Sequence, residues 1–184
     1  MQDYESYFRE RLSKSIHKVD VDEMACLSQG KEVNPAKQAL YELLFDKDNR
    51  VANNAAWVFC YFDLCSNEWL YPKHDELIDE AMRTSDNTKR RLLLVLLLRQ
   101  PFDKENLRTD FLDFCLGRIS SDRESISVRT LSIKLAYEQC RFYPDLMREL
   151  RSTLELLQSD LLPTGVRTVR RKTLVGIEKA LKQG

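Results

Sequence analysis

The sequence predicts an all-α protein, a short curved solenoid of antiparallel helix pairs. Three observations carry this. Gly and Pro number five each among 184 residues, too few for a turn-rich sandwich or barrel and suited to long helices with brief connections. No short window alternates apolar and polar residues between hairpin turns. A strongly apolar helix also recurs at a nearly fixed spacing along the chain.

Taken in order, Tyr4, Tyr7, Phe8, Leu12 and Ile16 fall at helical spacing, so residues 4–16 read as a first amphipathic helix. A short helix over Asp20–Ser28 ends before Gly30. Asn34-Pro35 supplies an N-cap followed by proline at the first helical position, and Ala36, Ala39, Leu40, Leu43 and Leu44 follow on one face. Residues 46–49 form a turn, and an apolar helix runs from Arg50 through Trp57, Val58, Phe59 and Phe62. Tyr71-Pro72 opens the next pair, whose second helix is capped by Ser85-Asp86 and carries seven apolar residues in a row. Residues 105–119 and 124–141 form a third pair. Tyr143-Pro144 and Pro163 open the two helices of the fourth.

Placed in register, the second helices begin VANNAAWVF at Val51, TKRRLLLVL at Thr88, VRTLSIKLA at Val128 and VRTVRRKTL at Val166, spacings of 37, 40 and 38 residues. Over about 34–182 this resembles the HEAT-like family of stacked helix pairs, on the Val-Arg pairs Val128-Arg129 and Val166-Arg167. The first two units depart from that pair with Val-Ala and Thr-Lys. The resemblance implies a right-handed α-α superhelix of about four pairs, first helices on the convex back and second helices on the concave face. Residues 1–33 do not match the repeat and are expected to cap its N-terminal end; residues 34–184 carry the repeats, as a single domain overall. An irregular bundle of similar helix pairs is the alternative.

Lys plus Arg and Asp plus Glu are 29 each, which disfavours a bulk-basic nucleic-acid binder but leaves room for a basic face. The first helices are acidic: residues 72–85, 103–121 and 143–162 sum to −2, −1 and −2. The second helices are basic: 86–102, 122–142 and 163–184 sum to +3, +1 and +5. On the solenoid reading this makes a basic inner surface of Lys89, Arg90, Arg91, Arg129, Lys134, Arg167, Arg170, Arg171 and Lys172. Lys89, Arg90, Arg129, Lys134, Arg167 and Arg171 are its candidate binding residues. The bland reading is that helix ends and exposed faces carry charge anyway.

Trp69, in the loop NEWLYP, either covers the core or anchors a partner, and Trp57 reads as core. Asn53 and Asn54 are candidate hydrogen-bonding groups for a partner backbone, or merely the polar side of their helix. Asp75, Glu76, Asp79 and Glu80 lie on one helix, which does not supply the six or more oxygens a hard cation needs, so they read as a solvated face. His17 and His74 read as surface or capping residues. The five cysteines, with no CxxC pair, read as reduced core thiols of a cytoplasmic protein. The chain lacks an apolar leader or a run of about 20 apolar residues, so no membrane association is expected. Neither a catalytic motif nor a metal or cofactor fingerprint stands out.

The leading functional expectation is a non-enzymatic module holding an acidic peptide or protein segment in a basic concave groove. The second is binding of a nucleic-acid backbone. HEAT-like DNA-alkylation-repair glycosylases use such a surface, and Arg90-Arg91 before an apolar run is similar to a stretch of that family. Its catalytic Trp and nearby Asp are not matched, since Glu68-Trp69-Leu70 is followed by Tyr71-Pro72 and Asp75 stands at a different spacing. Glycosylase activity is therefore not carried over. A third expectation is a structural subunit recognised through apolar residues at an open end of the stack. Neither the partner nor the oligomeric state is read from the sequence.

Overall fold

The computed structural model describes residues 3–30, 33–105 and 107–183. Among them are α1 (Tyr4–Leu12), α2 (Lys18–Ser28), α3 (Pro35–Glu42), α4 (Asn49–Cys60), the single turn α5 (Leu64–Asn67), α6 (His74–Arg83), α7 (Asn87–Leu98), α8 (Thr109–Ser120), α9 (Ile126–Cys140), α10 (Pro144–Leu156) and α11 (Thr164–Gln183). Short 3-10 turns cover Leu43–Phe45, Glu68–Lys73 and Ser159–Leu161, and no strand occurs among the described residues. Lys31 and Glu32 of the expected cap, and Asn106 of the expected helix 105–119, lie outside the described residues.

Helix starts follow local chemistry. Asp3, Asn34, Asp48, Asp86 and Ser125 each accept a hydrogen bond from a backbone N–H in the first turn of the following helix, filling donors that have no partner inside it. Pro35 and Pro144 occupy first positions, where a missing N–H costs nothing. Two starts differ from expectation. Tyr71-Pro72 lies inside a 3-10 turn and α6 begins only at His74, and α8 begins at Thr109 rather than 105. The first helix stops at Leu12, leaving Ile16 in the connection. Gly30 has φ 116°, a left-handed geometry that suits glycine where the chain leaves α2.

Contacts divide the chain into two compact units, residues 1–100 and 101–184. In the first, α1 and α2 pack on α3 and α4, and α7 packs on both α4 and α6. The expected boundary at residues 33 and 34 falls inside this unit. In the second, α9 packs on α8, α10 and α11. Each unit is thus a set of helix pairs whose second helices touch.

The core of the first unit is aromatic at its centre. Phe59 is fully buried, with its ring centroid 4.7 Å from Phe62, 6.2 Å from Tyr41 and 6.5 Å from Trp69. Lys37 is buried beside this cluster. Its ammonium donates to the Gly30 carbonyl and stands 5.4 Å from the Trp69 ring, and burial lowers its pKa. Lys73 covers the rings of both Trp69 and Tyr41, at 4.5 and 4.6 Å.

One device closes pair after pair. Arg90 Nε donates to the carbonyl of Ala81 (3.3 Å), Arg129 Nε to that of Ile119 (3.2 Å) and Arg170 Nε to that of Leu154 (2.6 Å). Each acceptor lies in the last turn of the pair's first helix, where carbonyls lack partners and the helix dipole favours a cation. A second clamp joins successive pairs. Arg99 donates to the carbonyls of Cys60 (2.8 Å) and Phe62 beyond the end of α4, and Arg141 donates to that of Phe102 (3.4 Å). Arg99→Ala should destabilise the first unit by about 2 kcal/mol, since the Cys60 carbonyl loses a charge-assisted partner. Urea unfolding measures this, and an unchanged midpoint would mean that water replaces the guanidinium at no cost.

Candidate functional site

The second helices of the first two pairs leave an open cleft between them. It has a volume of 420 Å³ and is lined by Asn53, Asn54, Trp57, Cys60 and Tyr61 from α4 and its end, and by Thr88, Arg91, Leu92 and Val95 from α7. Trp57 is half-buried and meets Tyr61 edge-on, with ring centroids 6.3 Å apart. The wall is therefore mostly apolar, with one cation. Arg91 is half-buried and has no hydrogen bond or ion pair among the described residues.

The amides of the cleft are partly engaged by the fold. Asn54 Nδ2 donates to the carbonyls of Leu12 (2.8 Å) and Lys14 (3.3 Å), tying the end of α1 to α4. Asn53 Nδ2 donates to the Asp86 carboxylate at 3.3 Å, while its buried Oδ1 has no partner among the described residues. Burial pushes the Cys60 thiol up to about 12 against the opposing pull of Arg99 and Arg91, so it stays protonated and unreactive at neutral pH.

Three of the expected groove cations are not on a surface. Lys89, Arg90 and Arg129 are 4%, 7% and 4% exposed. Lys89 pairs with buried Glu80, and the two arginines close their helix pairs as described. Their burial sets Val51, Lys89 and Val128 in one register, so the second pair's Arg90 matches Arg129, and the alignment that began at Thr88 is one residue out. Arg170 is half-buried on the Leu154 carbonyl. Arg167 is exposed, bonded to the carbonyls of Asp160 and Leu162. Lys134, Arg171 and Lys172 are exposed, without a hydrogen bond or ion pair among the described residues.

Of the two readings left open for Trp69 the structure takes the core one, and Trp57 departs from its expected place in the core. Trp69 packs into the aromatic core between Tyr41 and Phe59, while Trp57 lines the cleft. The sequence signal for Trp57 is its position one turn after Asn53, on the polar edge of an otherwise apolar helix. The acidic row of α6 is not a uniformly solvated face either. Glu80 is buried, and Glu76 accepts a 2.6 Å hydrogen bond from Tyr41, whose pKa is raised by burial and by that bond. Cys26 and Cys65 are exposed rather than core, whereas Cys115 and Cys140 are buried. His17 caps α2, its backbone N–H bonded to Asp20 at 2.8 Å, and His74 Nδ1 lies 2.8 Å from Gln100. No group of metal-ligating side chains converges among the described residues, and no helix there is long and apolar enough to cross a membrane.

Helix pairs with touching second helices, three of them braced by an arginine at the first-helix end, define a helical-repeat protein. The family model of the HEAT repeat domain matches residues 8–177, and the chain belongs to that family. The match begins inside α1, ahead of the repeats as read from the sequence. No curated protein and no solved structure matches the chain. HEAT repeats commonly serve as protein-interaction scaffolds, and the family is generally non-enzymatic.

Proposed function

We propose that this chain is a non-catalytic protein-interaction module that holds an acidic peptide segment of a partner against the cleft between α4 and α7. The observation that supports it most is the pairing of an open apolar wall, Trp57, Tyr61 and Val95, with the unengaged guanidinium of Arg91. An apolar side chain of the peptide enters against Trp57, and an acidic one pairs with Arg91, where the half-buried setting strengthens a bidentate contact. The basic layer enters this reading in reduced form. Arg91 serves the first unit, and Lys134, Arg167, Arg171 and Lys172 are the exposed members of that layer in the second.

A displayed library of acidic peptides, screened on the purified chain and followed by fluorescence anisotropy, tests the reading. Selected peptides should carry an acidic and an apolar residue close together. Arg91→Glu and Trp57→Ala should each weaken them at least tenfold while leaving far-UV circular dichroism unchanged. Peptides that bind both variants as well as the parent would move the site away from this cleft. Tight, steeply salt-dependent binding of duplex DNA, with no peptide selected, would replace the reading with phosphate-backbone binding.

A further inference from the structure

α2, the second helix of the order, and α11, its last, each pack on one side only. α2 buries Val21, Met24, Ala25 and Ser28 against α3 and α4. Its other side presents Val19, Asp22, Glu23, Cys26 and Leu27, all exposed, with Val19 at 77% and Leu27 at 39%. Their spacing of i, i+3, i+4, i+7 and i+8 makes them one continuous stripe. The stripe is acidic at its centre and apolar at both ends; Arg11 pairs with Glu23 at 2.9 Å and with Asp20 at 3.0 Å, and Asp22 has no ion pair among the described residues. Val19 and Leu27 put apolar surface on the solvent side of the helix, one at either end of the acidic centre.

α11 packs on α9 and α10. Its outward side carries Arg171, Lys172, Val175, Glu178, Lys179 and Lys182, again at helical spacing, with Val175 48% exposed. Glu178 is neutralised by Lys182 at 2.9 Å. Arg171, Lys172 and Lys179 have no ion pair among the described residues. This stripe is the charge complement of the first: cations flanking a valine, against carboxylates flanked by valine and leucine. The asymmetry extends to whole sequence halves. Residues 1–100 hold 14 basic and 17 acidic side chains, and residues 101–184 hold 15 and 12.

We propose that α2 of one copy docks on α11 of a second copy, so that the chain associates head to tail. Asp22 and Glu23 face Arg171, Lys172 and Lys179, and Val19 and Leu27 cover Val175. Such an interface is heterologous: each pairing leaves an unused α2 on one copy and an unused α11 on the other, so association can continue beyond a dimer. Two helix stripes bury less than the roughly 1,200 Å² of a standard interface, so association is weak and salt-sensitive.

Sedimentation velocity of the full chain, from low micromolar to several hundred micromolar, is the test. The weight-average mass should rise with concentration and fall back at high salt. A variant with R171E and K172E, and a second with D22K and L27K, should each remain monomeric, with unchanged circular dichroism. An equimolar mixture of the two should recover association, because the intact α2 of the first meets the intact α11 of the second. A parent chain that stays monomeric throughout overturns the proposal. So does self-association that persists in both variants, or a mixture that remains monomeric while the parent associates, which would indicate a symmetric interface elsewhere.

Discussion

Glu80→Ala should lower the stability of the first unit by about 3–5 kcal/mol, because it strands a buried ammonium. Glu80 and Lys89 are 5% and 4% exposed, their charged ends in contact, and Arg83 reaches the second Glu80 oxygen from solvent. Removing the carboxylate leaves the buried Lys89 without the one anion it pairs with among the described residues. At about 2–4 °C per kcal/mol for a chain of this length, calorimetry should show a transition lower by roughly 10 °C. The double variant Glu80→Leu, Lys89→Met should recover most of the loss, since a matched apolar pair carries no desolvation penalty. A double variant as unstable as the single one would mean that Glu80 matters for its packing and not for its charge.

The same pair gives the first unit an acid-sensitive limb. Burial raises the Glu80 carboxyl, but the hydrogen bonds from Lys89 and Arg83 outweigh it and hold the group below its ordinary value of 4.5. A carboxyl whose folded value is depressed contributes its full stabilisation above the unfolded value and loses it as pH falls through the folded one. Glu80→Gln should therefore be least stable relative to the parent near neutrality. The difference should narrow below about pH 4.5.

Phe59→Ala should be nearly as damaging, at about 3–5 kcal/mol. The ring is fully buried and is the one that Phe62, Tyr41 and Trp69 all meet. These neighbours belong to α3, the bend after α4 and the 3-10 turn before α6, so they cannot close together over the void without moving separate elements. Phe59→Leu, which keeps most of the volume, should cost less than half as much. Near-ultraviolet circular dichroism should fall with the alanine variant, because Trp69 loses its stacked partner. Similar losses for the two variants would show that the cluster collapses freely.

Much of the fold is local and was legible. Asn34-Pro35 and Tyr143-Pro144 mark helix starts because capping and proline geometry act within a few residues. The spacing of the apolar second helices shows as a repeat because each pair is one packing unit. The register of the second pair was not legible. Leu92 to Leu98 are apolar without a break, so the run has no polar side to set its phase, and the match slid from Lys89 to Thr88. The site was legible only in outline. Asn53, on the edge of α4, does line the cleft, but the charge of Arg90 and Arg129 says nothing about which way they point. Their acceptors, the Ala81 and Ile119 carbonyls, exist only once the first helix of the pair has folded back beside the second. Trp57 was misplaced, and Trp69 left between core and partner anchor, for a related reason: tryptophan suits either a core or a cleft, and only the neighbours decide.

The arginine brace also separates two jobs that surface residues often share. Because Arg90 and Arg129 lie flat against the ends of their own helix pairs, what keeps each pair closed is out of reach of whatever touches the cleft. Trp57, Tyr61, Arg91 and Val95 can then be rewritten as a set without loosening the frame that carries them. A chain built this way can acquire a new partner by changing a few outward positions, and it offers the same freedom to anyone grafting a chosen specificity onto it.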